Sequence, residues 1–168
     1  DEKHFLTISG ELIANGSAPV PILQHNLLSF QYPSPYSRNF NCNINPRISI
    51  KPFLFILKFL YDPEINYLND YEIILITIFG HNPNCYKICK KLIQNFRKKT
   101  KIKPVVKSLE NFYIEKIQEI IIANKAEDYI TTTKTKDNPI DKIIKNLKDN
   151  ANTFGNYLDA SQLVEIRR

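Results

Sequence analysis

The chain has 168 residues, 43% of them hydrophobic and 24% charged, with a formal net charge of +6. That is enough apolar material for one domain with a core or two small subdomains, and too mixed a composition for a disordered polyelectrolyte. No apolar run is long enough to span a bilayer, the longest (52–61) being interrupted by Lys58, so no membrane association is expected.

At the N-terminus, His4 to Ile8 reads as a short strand that turns into a short helix, with Gly10 easing the turn and Leu12 and Ile13 pointing inward. Asn15-Gly16-Ser17 stops it. Pro19 and Pro21 open a second helix whose buried stripe is Ile22, Leu23, Leu27 and Leu28. The stretch from Gln31 to Pro46 is polar and Pro-bearing, and reads as a long loop.

Pro52 then opens a strong helix, with Phe53, Ile56, Leu57 and Leu60 at helical spacing and Asp62-Pro63 as its end. Asn69-Asp70-Tyr71-Glu72 has the form of a capping box, and Leu68 is placed to plug the corner before it. Further helices are expected near 84–99, 109–123 and 139–149, with a short one over 153–163 and an edge strand over Val164–Arg167. Ala126 to Asn138, with three consecutive threonines, reads as a loop or linker.

The pair 52–61 and 69–79 has the form of the first two helices of a winged helix-turn-helix. Residues 157–167 then supply its third helix and wing strand, and a helical insertion runs from about residue 80 to 150. The expected fold is therefore mainly α with a few short strands. An N-terminal part (1–47) precedes a winged-helix-like helical domain (48–168).

Charge is distributed unevenly. No acid lies between Glu72 and Glu110, a span that holds nine basic residues: Lys87, Lys90, Lys91, Arg97, Lys98, Lys99, Lys101, Lys103 and Lys107. Nor is there an acid between Glu11 and Asp62, where Arg38, Arg47, Lys51 and Lys58 lie. Long acid-free stretches suit a polyanion. Lys87, Lys90, Lys91 and Lys98 recur at helical spacing and form a basic face, with Ile88, Leu92 and Phe96 as its buried counterpart. Lys99, Lys101 and Arg97 extend that surface. In the 31–47 loop, Arg38 and Arg47 suit guanine, Asn39, Asn41 and Asn43 suit adenine, and Tyr32 adds an aromatic contact. The competing reading is a helical protein–protein interaction domain whose lysines only solubilise it.

Catalytic and metal signals are weak. His81, Cys85 and Cys89 stand at i, i+4 and i+8, with Cys42 as a conceivable fourth ligand, but lack the tight Cys pairs of zinc sites. An odd count of three cysteines gives no disulfide framework and favours a reducing compartment. Metal-dependent nucleases need an Asp followed by an acidic-x-Lys tripeptide, and neither Glu115-Lys116 nor Glu127-Asp128 provides it. The chain opens on Asp1-Glu2-Lys3 and contains no Met, so an internal piece or processed product is expected.

The order of features resembles that of AlwI-family type IIS restriction endonucleases over most of the chain. The shared elements are Leu6, Thr7 and Gly10; a leucine helix leading into Leu28-Ser29-Phe30-Gln31-Tyr32-Pro33-Ser34-Pro35; Ile50-Lys51-Pro52-Phe53, ending in Leu60; Tyr67, Leu68 and Glu72; and a closing Tyr157, Leu158, Ala160, Leu163 segment. The resemblance implies the DNA-recognition part, built from winged-helix units, of a type IIS restriction or nicking endonuclease. The partner would be double-stranded DNA, the location the bacterial cytoplasm, and the recognition state monomeric. The Mg²⁺-dependent nuclease domain would lie outside this chain, which itself carries no catalytic residue or cofactor.

Overall fold

The computed structural model describes residues 5–31, 49–102, 108–125 and 140–165. Among them lie seven helices: α1 (Ile8–Ala14), α2 (Pro19–Ser29), α3 (Pro52–Tyr61), α4 (Asp70–Phe79), α5 (Tyr86–Thr100), α6 (Leu109–Ala123) and α7 (Ile140–Ala160). A 3-10 turn over Pro83–Cys85 leads into α5. The chain is mainly helical, and extended pairing among the described residues is limited to an isolated bridge at Ile50. There the Ser49 N–H donates to the His81 carbonyl at 2.7 Å.

α4 is the centre. Its sequence, DYEIILITIF, is apolar almost all round, and every residue from Tyr71 to Phe79 except Thr77 is buried. α5, α6 and α7 pack around it, α7 most extensively. α5 contributes Cys89, Leu92, Ile93 and Phe96, and α6 contributes Ile114, Ile117, Ile120 and Ile121. On α7, Ile144, Ala151 and Leu158 are buried at intervals of seven, a narrow seam facing the core. The aromatic side of α3 closes the core at one end. Phe53 meets Phe154 at 5.0 Å between ring centroids, and Phe59 stacks on Tyr86 at 4.5 Å. Gly80 lets α4 end against α3, because a Cβ there would lie 2.4 Å from the Ile76 carbonyl oxygen and 2.7 Å from the Phe55 ring.

Several expectations are corrected. Phe5 to Thr7 form no strand; Thr7 is instead the N-cap of α1, accepting from the Gly10 N–H at 3.2 Å. α1 buries no residue, so Leu12 and Ile13 do not point into a core. The stripe of α2 is only half covered, and Leu23 is exposed. Ile65, at 1% exposure, fills the corner assigned to Leu68, which is partly buried beside it. The separate helices expected at 139–149 and 153–163 are one 21-residue helix, α7. Asn150, Asn152 and Gly155 are poor helix formers, but the seam through Ala151 and Leu158 holds the helix across them. Tyr157–Ala160 are thus the end of α7 rather than a third helix, and Val164 and Glu165 are not in a strand. The expected boundary at residue 150 falls inside α7, and the segment read as an insertion supplies α5 and α6 to the same core. The linker read over 126–138 and the remaining wing residues, Ile166 and Arg167, lie outside the described residues.

One buried ion pair ties the loop before α4 to α5. Asn69 and Glu72 form the expected capping box: the Glu72 N–H donates to Asn69 Oδ1 at 3.0 Å, and the Asn69 N–H donates to Glu72 Oε2 at 3.0 Å. Glu72 is 0% exposed, so its charge needs a partner. Arg97 supplies it, with Nε 2.6 Å from Glu72 Oε1. The rest of the guanidinium donates to the carbonyls of Ile65 at 2.9 Å and Tyr67 at 2.6 Å. Removing Arg97 leaves a buried carboxylate with only its cap, whereas the exposed Lys99–Glu119 pair has water as a substitute. Arg97→Ala is therefore expected to cost about 3 kcal/mol or more in urea unfolding, and Lys99→Ala under about 1 kcal/mol. Equal losses for the two variants would refute this assignment.

Candidate nucleic-acid interface

The candidate interface is the outer side of α5. The helix is strongly amphipathic in sequence, YKICKKLIQNFRKKT, with its apolar stripe against α4 and α6. At 3.6 residues per turn, its six basic residues and the C-cap Lys101 fall into two groups. Three of them are committed to acids from elsewhere in the chain, and four are not.

Arg97 is held by Glu72 and also lies over the Tyr67 ring at 4.1 Å. Lys90 lies 2.7 Å from Asp62 Oδ2 and 3.0 Å from Glu64 Oε2. Lys99 lies 2.8 Å from Glu119, which also pairs with Lys116. The span that has no acid in sequence is thus partly neutralised in space. No local signal in the sequence could have revealed this, because the acids come from 20 to 28 residues away.

Lys87, Lys91, Lys98 and Lys101 form the other group. All four are exposed, and none has an ion pair with a described residue. Their positions fall within about 80° of arc and about 21 Å of helix length. Lys101 keeps the register because, as the C-cap, it retains helical angles (φ −61, ψ −38). Beside this ridge runs a second one. Ile88, placed by the sequence in the buried stripe, is 55% exposed; Cys89 and Ile93 take the inner positions instead. Asn95 and Ile102 follow Ile88 at intervals of seven, Asn95 exposed and Ile102 85% exposed just past the helix end.

Tyr32, Arg38, Asn39, Asn41, Asn43 and Arg47, expected to contact bases, lie outside the described residues, as do Lys103 and Lys107. Of the sequence-predicted contact residues, the structure therefore brings together Lys87, Lys91, Lys98 and Lys101, and sets Lys90, Arg97 and Lys99 apart in ion pairs.

Elsewhere, His81 and Cys85 are in contact, with Sγ 3.5 Å from Nε2. Cys89 is fully buried, and burial together with the nearby Cys85 pushes its thiol up to about 12, which makes it inert at neutral pH. Among the described residues, no three His, Cys, Asp or Glu side chains converge as a metal site. No described helix is long and apolar enough to cross a membrane. An apolar groove of about 770 Å³ lies between α2, α3 and α7, with Leu27, Phe30, Phe53, Phe154 and Tyr157 in its walls.

The anchor of α5 at its N-terminal half has its own electrostatics. Lys90 donates to Asp62, as does the Tyr86 hydroxyl, and the Glu64 N–H donates at 2.9 Å. Together they hold the Asp62 carboxyl down at about 2, from an ordinary 3.8. A depressed carboxylate contributes stability above its unfolded value and loses it as the pH falls through its folded value. Asp62→Asn should therefore lower Tm at pH 6, and its gap to the unsubstituted protein should close as the pH is taken from about 4 towards 2. A gap that stayed constant over that interval would show that Asp62 is not the charged anchor.

No protein-family model, no curated protein and no solved structure matches this chain.

Proposed function

We propose that this chain is a double-stranded DNA-binding module whose contact helix is α5. The observation that carries the reading is the ridge of Lys87, Lys91, Lys98 and Lys101: four exposed cations, aligned on one helix, with no acid among them. Lysines held along a packed helix approach several phosphates at once, and each contact releases condensed counterions. The net charge of +6 favours approach to a polyanion over a longer range.

In this reading the helix-turn-helix moves from the position expected in sequence. α4 is the buried supporting helix, residues 80–85 are the turn, and α5 is the helix presented to the duplex. The order of sequence features extends the proposal to the recognition part of a type IIS restriction or nicking endonuclease. A Mg²⁺-dependent cleavage domain would then lie outside this chain, and Arg38 and Arg47 would add base contacts.

A helical protein-interaction domain is the second reading, and the apolar groove beside α2 favours it. Salt dependence separates the two, because an apolar groove does not lose affinity steeply as salt rises. For the DNA reading, fluorescence polarisation on a mixed-sequence duplex should show log K falling linearly with log salt. Changing Lys87, Lys91 and Lys98 together to Ala should flatten that slope by about 2.7, at about 0.9 for each phosphate released. Lys90→Ala should leave it nearly unchanged, since Lys90 is spent on Asp62 and Glu64. A slope untouched by the triple substitution would refute the α5 interface.

A further inference from the structure

The exposed side of α5 carries more than lysines. Ile88, Asn95 and Ile102 stand at intervals of seven and form a second ridge, rotated by roughly 75° from the lysine ridge. Two of these residues are unusual where they stand. Ile88 is a large apolar side chain left 55% exposed on a helix whose inner stripe is well buried. Asn95 is a poor helix former in the middle of a 15-residue helix, exposed, and its side chain makes no hydrogen bond to a described residue. By contrast, its neighbour Gln94 is engaged with Glu64 at 3.1 Å.

Resting on the DNA-binding reading, we infer that this ridge reads A·T base pairs in the major groove. An Asn amide offers a donor and an acceptor that match adenine N7 and N6, and apolar groups match the thymine methyl. The usual guanine reader is an arginine fork, and the arginine of α5 is not free to act as one. Arg97 spends its donors on Glu72, Ile65 and Tyr67. The lysine ridge lies to one side, placed for the phosphates that flank the groove. From Ile88 to the C-cap Lys101, with Ile102 just past it, is 13 residues, about 20 Å of helix, or about six base pairs at 3.4 Å each. Asn95 sits midway, where a groove-bound helix comes nearest the base edges. Here the phosphate contacts set orientation and the Ile–Asn–Ile ridge sets sequence preference.

The test is fluorescence polarisation of the whole chain, at one fixed salt, on 20-base-pair duplexes of mixed-order A·T pairs or of G·C pairs. The A·T duplex should bind more tightly, by roughly five- to hundredfold for one bidentate contact. An A·T duplex carrying 7-deazaadenine lacks the N7 acceptor of the major groove and should lose that advantage. Asn95→Ala should lose it too, and should no longer distinguish adenine from 7-deazaadenine. This substitution raises helix propensity at an exposed site, and unchanged circular dichroism would show that the fold is intact. Replacing thymine by uracil should weaken binding by the unsubstituted protein, and less so by the double variant Ile88→Ser, Ile102→Ser. Equal binding to A·T and G·C duplexes, with a normal salt slope, overturns this inference and leaves the DNA-binding reading standing. An A·T preference that survives both 7-deazaadenine and Asn95→Ala also overturns it, since that preference would come from groove shape. Absence of binding to any duplex overturns the DNA-binding reading and this inference with it.

Discussion

A carboxylate with no access to water has to be paired, and in this chain that requirement falls on Glu72. Its two oxygens are shared between the N-cap backbone of its own helix and the guanidinium of Arg97. The guanidinium also takes the carbonyls of Ile65 and Tyr67, which belong to the turn between α3 and α4. One charged pair therefore fixes three things together: where α4 starts, how the preceding turn runs, and the rotation of α5 about its axis. That rotation decides which lysines face outward. With Arg97 pinned on one flank and Lys90 pinned to Asp62 and Glu64 on the same side, Lys87, Lys91, Lys98 and Lys101 point away from every described acid that pairs with α5.

The core around this pair is built from few residue types. Isoleucine and phenylalanine fill most of it, and aromatic rings cluster both where α3 meets α5 and α7 and where α6 meets α4 and α5. Tyr86 works at that junction in two ways. Its ring stacks on Phe59, and its hydroxyl donates to Asp62. Burial and then the Asp62 charge push the Tyr86 hydroxyl up to about 12, so it remains a donor through the whole physiological range. The start of α5 is thus tied to the end of α3 by a polar contact and an apolar one, just as its later half is tied to α4 by Arg97.

Local rules were legible wherever the determining residues lie within a turn of one another. The capping box at Asn69 and Glu72, the proline starts of α2 and α3, and the Asn15-Gly16 stop (Gly16 at φ +90) were all readable for that reason. The boundaries of α6 were readable because its isoleucine stripe is long and periodic. What could not be read depends on tertiary neighbours. The break expected near Asn150 does not occur, because packing of Ala151 and Leu158 outweighs weak local propensity. The position of Ile88 depends on the rotation of α5, and that is set by Arg97 and Lys90 finding acids more than twenty residues away. A run of nine basic residues without an acid therefore overstated the free charge of the folded surface. The run marks α5 as a basic helix, and only the fold could divide its cations into pinned and outward ones.

That division bears on how the surface can be used. A flexible lysine-rich tail has to be ordered when it binds, and that entropy is subtracted from its affinity. The outward lysines of α5 stand on backbone already fixed by a buried stripe and two anchored flanks, so only their side-chain stems remain to be ordered. Lysine is also the residue suited to this position. Its ammonium is a compact point charge that accepts a phosphate from many directions, whereas the forked arginine is better used where geometry is fixed. The chain follows that logic, with its α5 arginine inside, bound to two carbonyls and a buried carboxylate, and its lysines outside. A surface made only to solubilise the protein has no need of a uniform sign, since interspersed charges of both signs serve as well. A row of cations without an acid raises the local potential and works against the compact state unless a partner of opposite sign arrives. Under the proposed function, the phosphate backbone of a duplex is that partner, and it meets lysines whose backbone is already fixed.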